Sequence, residues 1–118
     1  MNVRELAGKL GARIVERRGG ISENRWVISE YETRNKTIVV YRDTLELLAE
    51  LVAVQDLPFD VERLDEIAIA HECFHLLFPG KRGNEERANS FAQELLDLVI
   101  SPAVLNDALA AHMGEQRT

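Results

Sequence analysis

An α+β fold is expected of this chain, and three features of the sequence predict it. A first segment carries apolar residues at helical spacing, two β-branched runs flank a short polar turn, and nearly all the rest reads as helices. At 118 residues the chain has the size of one domain, and no repeat, low-complexity stretch or linker divides residues 1–118.

The elements follow in order. Val3, Leu6, Ala7, Leu10 and Ile14 recur at three- and four-residue steps, which predicts an amphipathic N-terminal helix stopped by Gly19-Gly20. The runs "RWVISEYET" and "KTIVVYR" are rich in β-branched and aromatic residues and flank "RNK", which predicts a β-hairpin or small antiparallel sheet. Asp43 is placed to cap a helix through "TLELLAELVAV". Pro58 breaks that run, and Asp60 is placed to cap the next helix. From Ile67 to Phe78 this helix is apolar on nearly every side, so it is expected to lie buried in the middle of the domain and to end at Pro79-Gly80. After the polar loop "KRGN" comes a helix over "EERANSFAQELLDLVI", and Ser101-Pro102 opens a last helix to about His112.

Composition narrows the function classes. A net charge of −6 and a pI near 5.1 argue against direct binding of nucleic acid, which needs a basic patch or stripe. The pairs Arg17-Arg18 and Lys81-Arg82 are too short to reverse this. No segment approaches the length of a membrane span, and the N-terminal stretch lacks a signal-peptide apolar core. The single Cys73 cannot form an intramolecular disulfide. Together these suit a cytoplasmic protein without a membrane partner.

Residues 71–75 read "HECFH", so two of only three histidines stand four apart inside the most apolar stretch, with a glutamate beside the first. Positions four apart share one helix face, so His71 and His75 can offer two imidazole nitrogens to one ion. Glu72 is turned by about 100° from His71, which puts it beside the metal, where it can hold a water. This is the logic of H-E-x-x-H, in which zinc lowers the pKa of water and the glutamate accepts its proton.

A catalytic zinc takes three protein ligands plus water, and the chain offers Glu85 one loop downstream as the third. Two adjacent glutamates compete for that role. The positions on the face of Glu85 are Ala88, Asn89, Ala92, Leu95 and Leu96, mostly apolar; those counted from Glu86 are Asn89, Ser90, Gln93, Glu94 and Asp97, almost wholly polar. A ligand must point towards the buried histidines, which favours Glu85. Asn89 lies four residues on, where its amide can accept from the outer N–H of a ligand histidine and fix that ring.

HECFH followed by "EERANSFAQELL" and then a proline resembles the ImmA/IrrE metallo-endopeptidases, whose signature pairs HExxH with E-x-x-A-N-x-F-A-x-x-L-L. The similarity is close over residues 67–102; the upstream hairpin matches in position and character only. The family closes its second motif with L-L-M-P, whereas here Leu95-Leu96 run on through "DLVI" before Ser101-Pro102. The resemblance implies a minimal zincin-like domain, zinc held by His71, His75 and Glu85, and Glu72 as general base. It also implies a protein substrate such as a helix-turn-helix transcriptional repressor.

Other residues are read more plainly. Cys73 and Trp26 are expected in the core. His112, Tyr31 and Tyr41 are candidates to stabilise the oxyanion of a tetrahedral intermediate. The function expected is therefore zinc-dependent endopeptidase, with an extended peptide lying along a strand edge of the hairpin. The alternative is a metal-stabilised binding module that holds a regulatory protein without cleaving it; a base beside the metal favours catalysis.

Overall fold

The computed structural model describes residues 2–23, 25–79 and 85–116, and there it is an α+β fold of five helices, a three-stranded sheet and a two-stranded ribbon. Helix α1 (Val3–Lys9) starts at Asn2, whose side chain accepts from the Glu5 N–H at 2.8 Å. It stops well before Ile14. Gly11 takes a φ of 82°, and the N–H groups of Gly11 and Ala12 turn back onto the carbonyls of Gly8 and Ala7. That left-handed cap ends the helix. Ile14 belongs instead to strand β1 (Arg13–Arg17), where alternation, not helical spacing, sets its direction.

The run "RWVISEYET" is divided between two sheets. β2 (Ile21–Ser22) and β3 (Arg25–Trp26) pair as a short antiparallel ribbon. β4 (Ser29–Glu32) pairs antiparallel with β5 (Thr37–Tyr41), setting Ser29 opposite Val40 and Glu32 opposite Thr37. β1 then joins β5 in parallel, so the sheet is mixed, in the order β1-β5-β4, and larger than the hairpin expected. β4 is left at one edge.

Helix α2 (Arg42–Val54) follows β5 directly, and Tyr41 at its N-cap makes no side-chain cap bond. Asp43 does not cap it. Its carboxylate accepts from the N–H groups of Gly20, Gly19 and Ile21 at 3.1, 3.2 and 3.3 Å, fastening the turn before β2 onto α2. Burial pushes the Asp43 carboxyl up, but these N–H groups, with that of Thr44, outweigh it and hold it below the ordinary value. A Cβ added at Gly20 would stand 2.4 Å from Thr44 Oγ1, 2.5 Å from Tyr41 Cβ and 2.6 Å from the Val27 carbonyl oxygen. Thr44 Oγ1 itself donates to that carbonyl at 2.8 Å. Gly20→Ala is therefore expected to destabilise the protein by about 1–3 kcal/mol through overpacking. Denaturant unfolding checks this, and an unchanged midpoint would refute it.

Helix α3 (Val61–Leu77) is capped by Asp60, whose Oδ1 accepts from the Arg63 N–H at 2.8 Å. It ends at Leu77 because Phe78 precedes a proline and leaves the helical region. Leu64, Ile67, Ala68, Ile69, Ala70, Cys73 and Phe74 are all buried along it. α3 is the central element: α1, α2, a further helix α4 (Glu85–Leu95) and the sheet all pack on it. Arg4 of α1 pairs with Asp65 of α3.

α4 is shorter than its sequence run suggests. Asp97 adopts a φ of 54°, and Leu98 N–H returns to the Gln93 carbonyl at 2.9 Å, closing the helix at Leu95 with the same left-handed cap. Val99, in the "DLVI" tail, is consequently out in solvent, 89% exposed. Helix α5 (Ala103–Gln116) starts as expected, with Ser101 Oγ accepting from the Ala103 N–H at 3.2 Å, and continues one turn past His112. The "KRGN" loop and the start of a helix at Asn84 fall outside the described residues. Among the described residues, no helix is long and apolar enough to cross a membrane.

Candidate metal centre

The one-turn offset between His71 and His75 brings their Nε2 atoms to 3.1 Å on one face of α3, with the rings at an interplanar angle of 66°. Glu85, from the first turn of α4, reaches both: Oε2 lies 2.8 Å from His71 Nε2, and Oε1 lies 3.3 Å from His75 Nε2. The three donor groups thus fall within 4.8 Å of one another and can hold a metal ion. Ligand atoms about 2.0–2.1 Å from a tetrahedral zinc stand about 3.3 Å apart, so the observed spacings and the two-imidazole, one-carboxylate donor set fit zinc.

Packing explains why these side chains meet. α3 is locked in the core, which leaves the His71–His75 face no freedom to rotate. α4 lies against it through the small buried residues Ala88 and Ala92, and the rings of Phe74 and Phe91 meet at 5.9 Å. With that register, Glu85 faces the histidines while Glu86 is exposed and outside the donor cluster. The centre opens towards solvent on the Glu85 side: its side chain is 60% exposed, against 17% for His71 and 27% for His75.

Glu72 sits beside this cluster and is only 5% exposed. Burial pushes its carboxyl up to about 7, and the charges of Glu85 and Glu30 push the same way; a hydrogen bond from Ser29 opposes them. That bond is direct, Ser29 Oγ donating to Glu72 Oε2 at 2.8 Å across 43 residues of sequence. Burial lowers the His71 pKa and the positive form of His75 adds to this, while Glu85 and a hydrogen bond with the Asn89 side chain raise it. Asn89 is itself buried at 8% exposure, in contact with the ring it was expected to orient. Cys73 is fully buried, and burial raises its thiol to about 11, which leaves it an inert core residue.

Two spaces adjoin the cluster. An open groove of about 640 Å³ runs between β4 and α3, with Tyr31 and Thr33 on one side and His75 and Leu76 on the other. Behind it lies a cavity of about 190 Å³ whose walls include Trp26, Leu64 and Leu105. Among the candidates for oxyanion stabilisation, Tyr31 lines the groove. Tyr41 instead donates its hydroxyl to Glu30, which with burial raises its pKa to about 12. His112, on α5, lines neither space. Trp26 is half-buried on the cavity wall and not deep in the core.

Ser29 was not legible as a site residue. A small hydroxyl alternating with Glu30 and Glu32, on the strand face it shares with Tyr31, was the available signal. Nothing local tied it to Glu72. Comparisons of the chain with protein-family models, with curated proteins and with solved structures give no match.

Proposed function

We propose that the chain is a zinc endopeptidase of the ImmA/IrrE kind with a zincin-like fold, in which His71, His75 and Glu85 hold the ion and Glu72 is the general base. The observation that carries this reading is the convergence of two imidazoles and one carboxylate within 4.8 Å, with a second, buried carboxylate beside them. Neither a solvated surface nor a close-packed core calls for that combination, because burying a carboxylate beside other polar groups costs free energy. When bound, zinc supplies a Lewis acid that acidifies water and polarises a peptide carbonyl.

The chain's own residues do the rest. Glu72 takes the proton of the attacking water and passes it to the departing amine, a role suited to a carboxyl whose pKa is raised towards neutrality. Ser29 fixes one oxygen of that carboxylate and leaves the other to carry the proton. Asn89 steadies the His71 ring. β4, at the edge of the sheet beside the groove, offers unpaired backbone groups to an extended peptide. By the family resemblance the substrate is a cytoplasmic protein, such as a helix-turn-helix repressor, and the acidic net charge fits a protein target better than nucleic acid.

Removing the Ser29 hydroxyl deprives a buried carboxylate of its donor, and hydrogen bonds to charged groups contribute about 1.5–3 kcal/mol. Ser29→Ala should therefore lower kcat by about ten- to a hundredfold, with KM and zinc content little changed. A loss confined to KM would contradict a positioning role. The proposed activity itself is tested by incubating the zinc-loaded protein with a proteome-derived peptide mixture and reading new termini by mass spectrometry. Hydrolysed termini that vanish on chelation are expected. Their complete absence, with intact folded proteins also tried as substrates, would refute the peptidase reading.

A further inference from the structure

The cavity behind the groove shares Ser29, His71, Glu72 and Glu85 with it, so the two spaces meet at the donor cluster. Beyond that mouth the cavity walls are mostly apolar, the polar exceptions being the side chains of Asn89 and Asn106. Leu48, Leu64 and Leu105, all almost completely buried, line it together with Ile28. Trp26 completes it: its indole N–H donates to Asn106 Oδ1 at 3.4 Å, tying β3 to α5 across the cavity rim. At about 190 Å³ it is smaller than the 300–1,000 Å³ typical of drug-sized ligand pockets, a size that suits one side chain and not a whole small molecule.

We propose that this cavity receives one uncharged apolar side chain, of about leucine size, from the polypeptide lying in the groove, and so selects where that polypeptide is cut. The assignment rests on the zinc peptidase reading above. An extended chain along β4 points alternate side chains to opposite sides, so one residue next to the attacked bond faces the cavity mouth. Charged side chains are rejected because the walls beyond the mouth, with only the neutral amides of Asn89 and Asn106 among apolar groups, offer no opposite charge to offset lost hydration. A leucine side chain gains the burial of most of its apolar surface, which corresponds to about tenfold tighter binding or more. Trp26 sets the size limit.

The test uses zinc-loaded protein, its metal content verified, and two hydroxamate series. Blocked amino-acid hydroxamates and succinyl hydroxamates project a side chain to opposite sides of the same metal anchor. Each series carries no side chain, leucine, phenylalanine, aspartate or lysine. In one series the leucine member should bind at least about tenfold more tightly than the unsubstituted one, and the aspartate and lysine members should gain nothing. Trp26→Ala should shift the preference from leucine towards phenylalanine. Equal affinities across both series, or no binding of any member to zinc-loaded protein, would overturn the cavity assignment while leaving the metal centre standing. A chain that takes up no zinc would overturn both.

Discussion

Glu85→Ala is expected to weaken zinc binding by more than any other substitution in the second half of the site, while Glu86→Ala leaves it close to wild type. Among the described residues Glu85 is the only carboxylate in the donor cluster, and its two oxygens each face one histidine. Losing it removes a ligand outright. Losing an outer hydrogen-bond partner costs a metal site about ten- to a hundredfold in affinity, the drop expected for Asn89→Ala, so the Glu85 loss should exceed a hundredfold. The fold should survive, because the Glu85 side chain is 60% exposed and fills no core space. Competition against a chromophoric chelator at fixed pH measures all three variants. A strong loss in Glu86→Ala with Glu85→Ala near wild type would reverse the assignment.

Glu72→Gln should have the largest effect on turnover while leaving zinc in place. The amide matches the carboxylate in shape, can still accept from Ser29, and suits the buried setting, so neither packing nor the donor cluster is disturbed. What disappears is the ability to take and return a proton. General acid–base catalysis contributes about 10²–10⁴-fold, and kcat should fall by that much, to the detection limit for a slow enzyme. Circular dichroism and elemental analysis of the variant should match wild type. Undiminished turnover of a substrate found by the terminus assay would remove Glu72 as base. If the variant retains a bound partner that wild type also leaves uncut, the non-cleaving binding module becomes the better reading.

The parts of the site written in one helix were the easiest to read. His71, Glu72 and His75 sit on a single continuous α-helix, so the helical repeat alone relates their directions. On the helix face expected to be apolar and to carry Glu85, Ala88, Asn89, Ala92 and Leu96 are buried, but Leu95 is exposed because it stands where α4 ends. Asp60 and Ser101 act as the caps their sequence contexts suggest. The failures are long-range or depend on backbone handedness. Ile14 satisfies both a helical and an alternating pattern, and the left-handed turn at Gly11 decides for the strand. Parallel pairing of β1 with β5 has no local signature at all. Asp43 and Asp97 look like ordinary polar residues near helix ends. One is used to hold a distant turn, and the other accepts a positive φ that ends α4 early. Ser29 joins the site only because β4 folds back over α3, 43 residues further on.

Metal content is the most direct measurement of all. Protein purified without added metal and without chelators should carry about one zinc per chain by elemental analysis. Stripping the ion should lower the thermal midpoint, since a ligand bound only to the folded state at a thousand times its Kd stabilises it by about 4 kcal/mol. Returning zinc should restore both the stoichiometry and the midpoint in wild type, but not in a variant lacking His71 and His75. A chain that arrives without metal, takes up none when zinc is added, and melts at the same temperature with and without it would contradict the centre assigned to His71, His75 and Glu85.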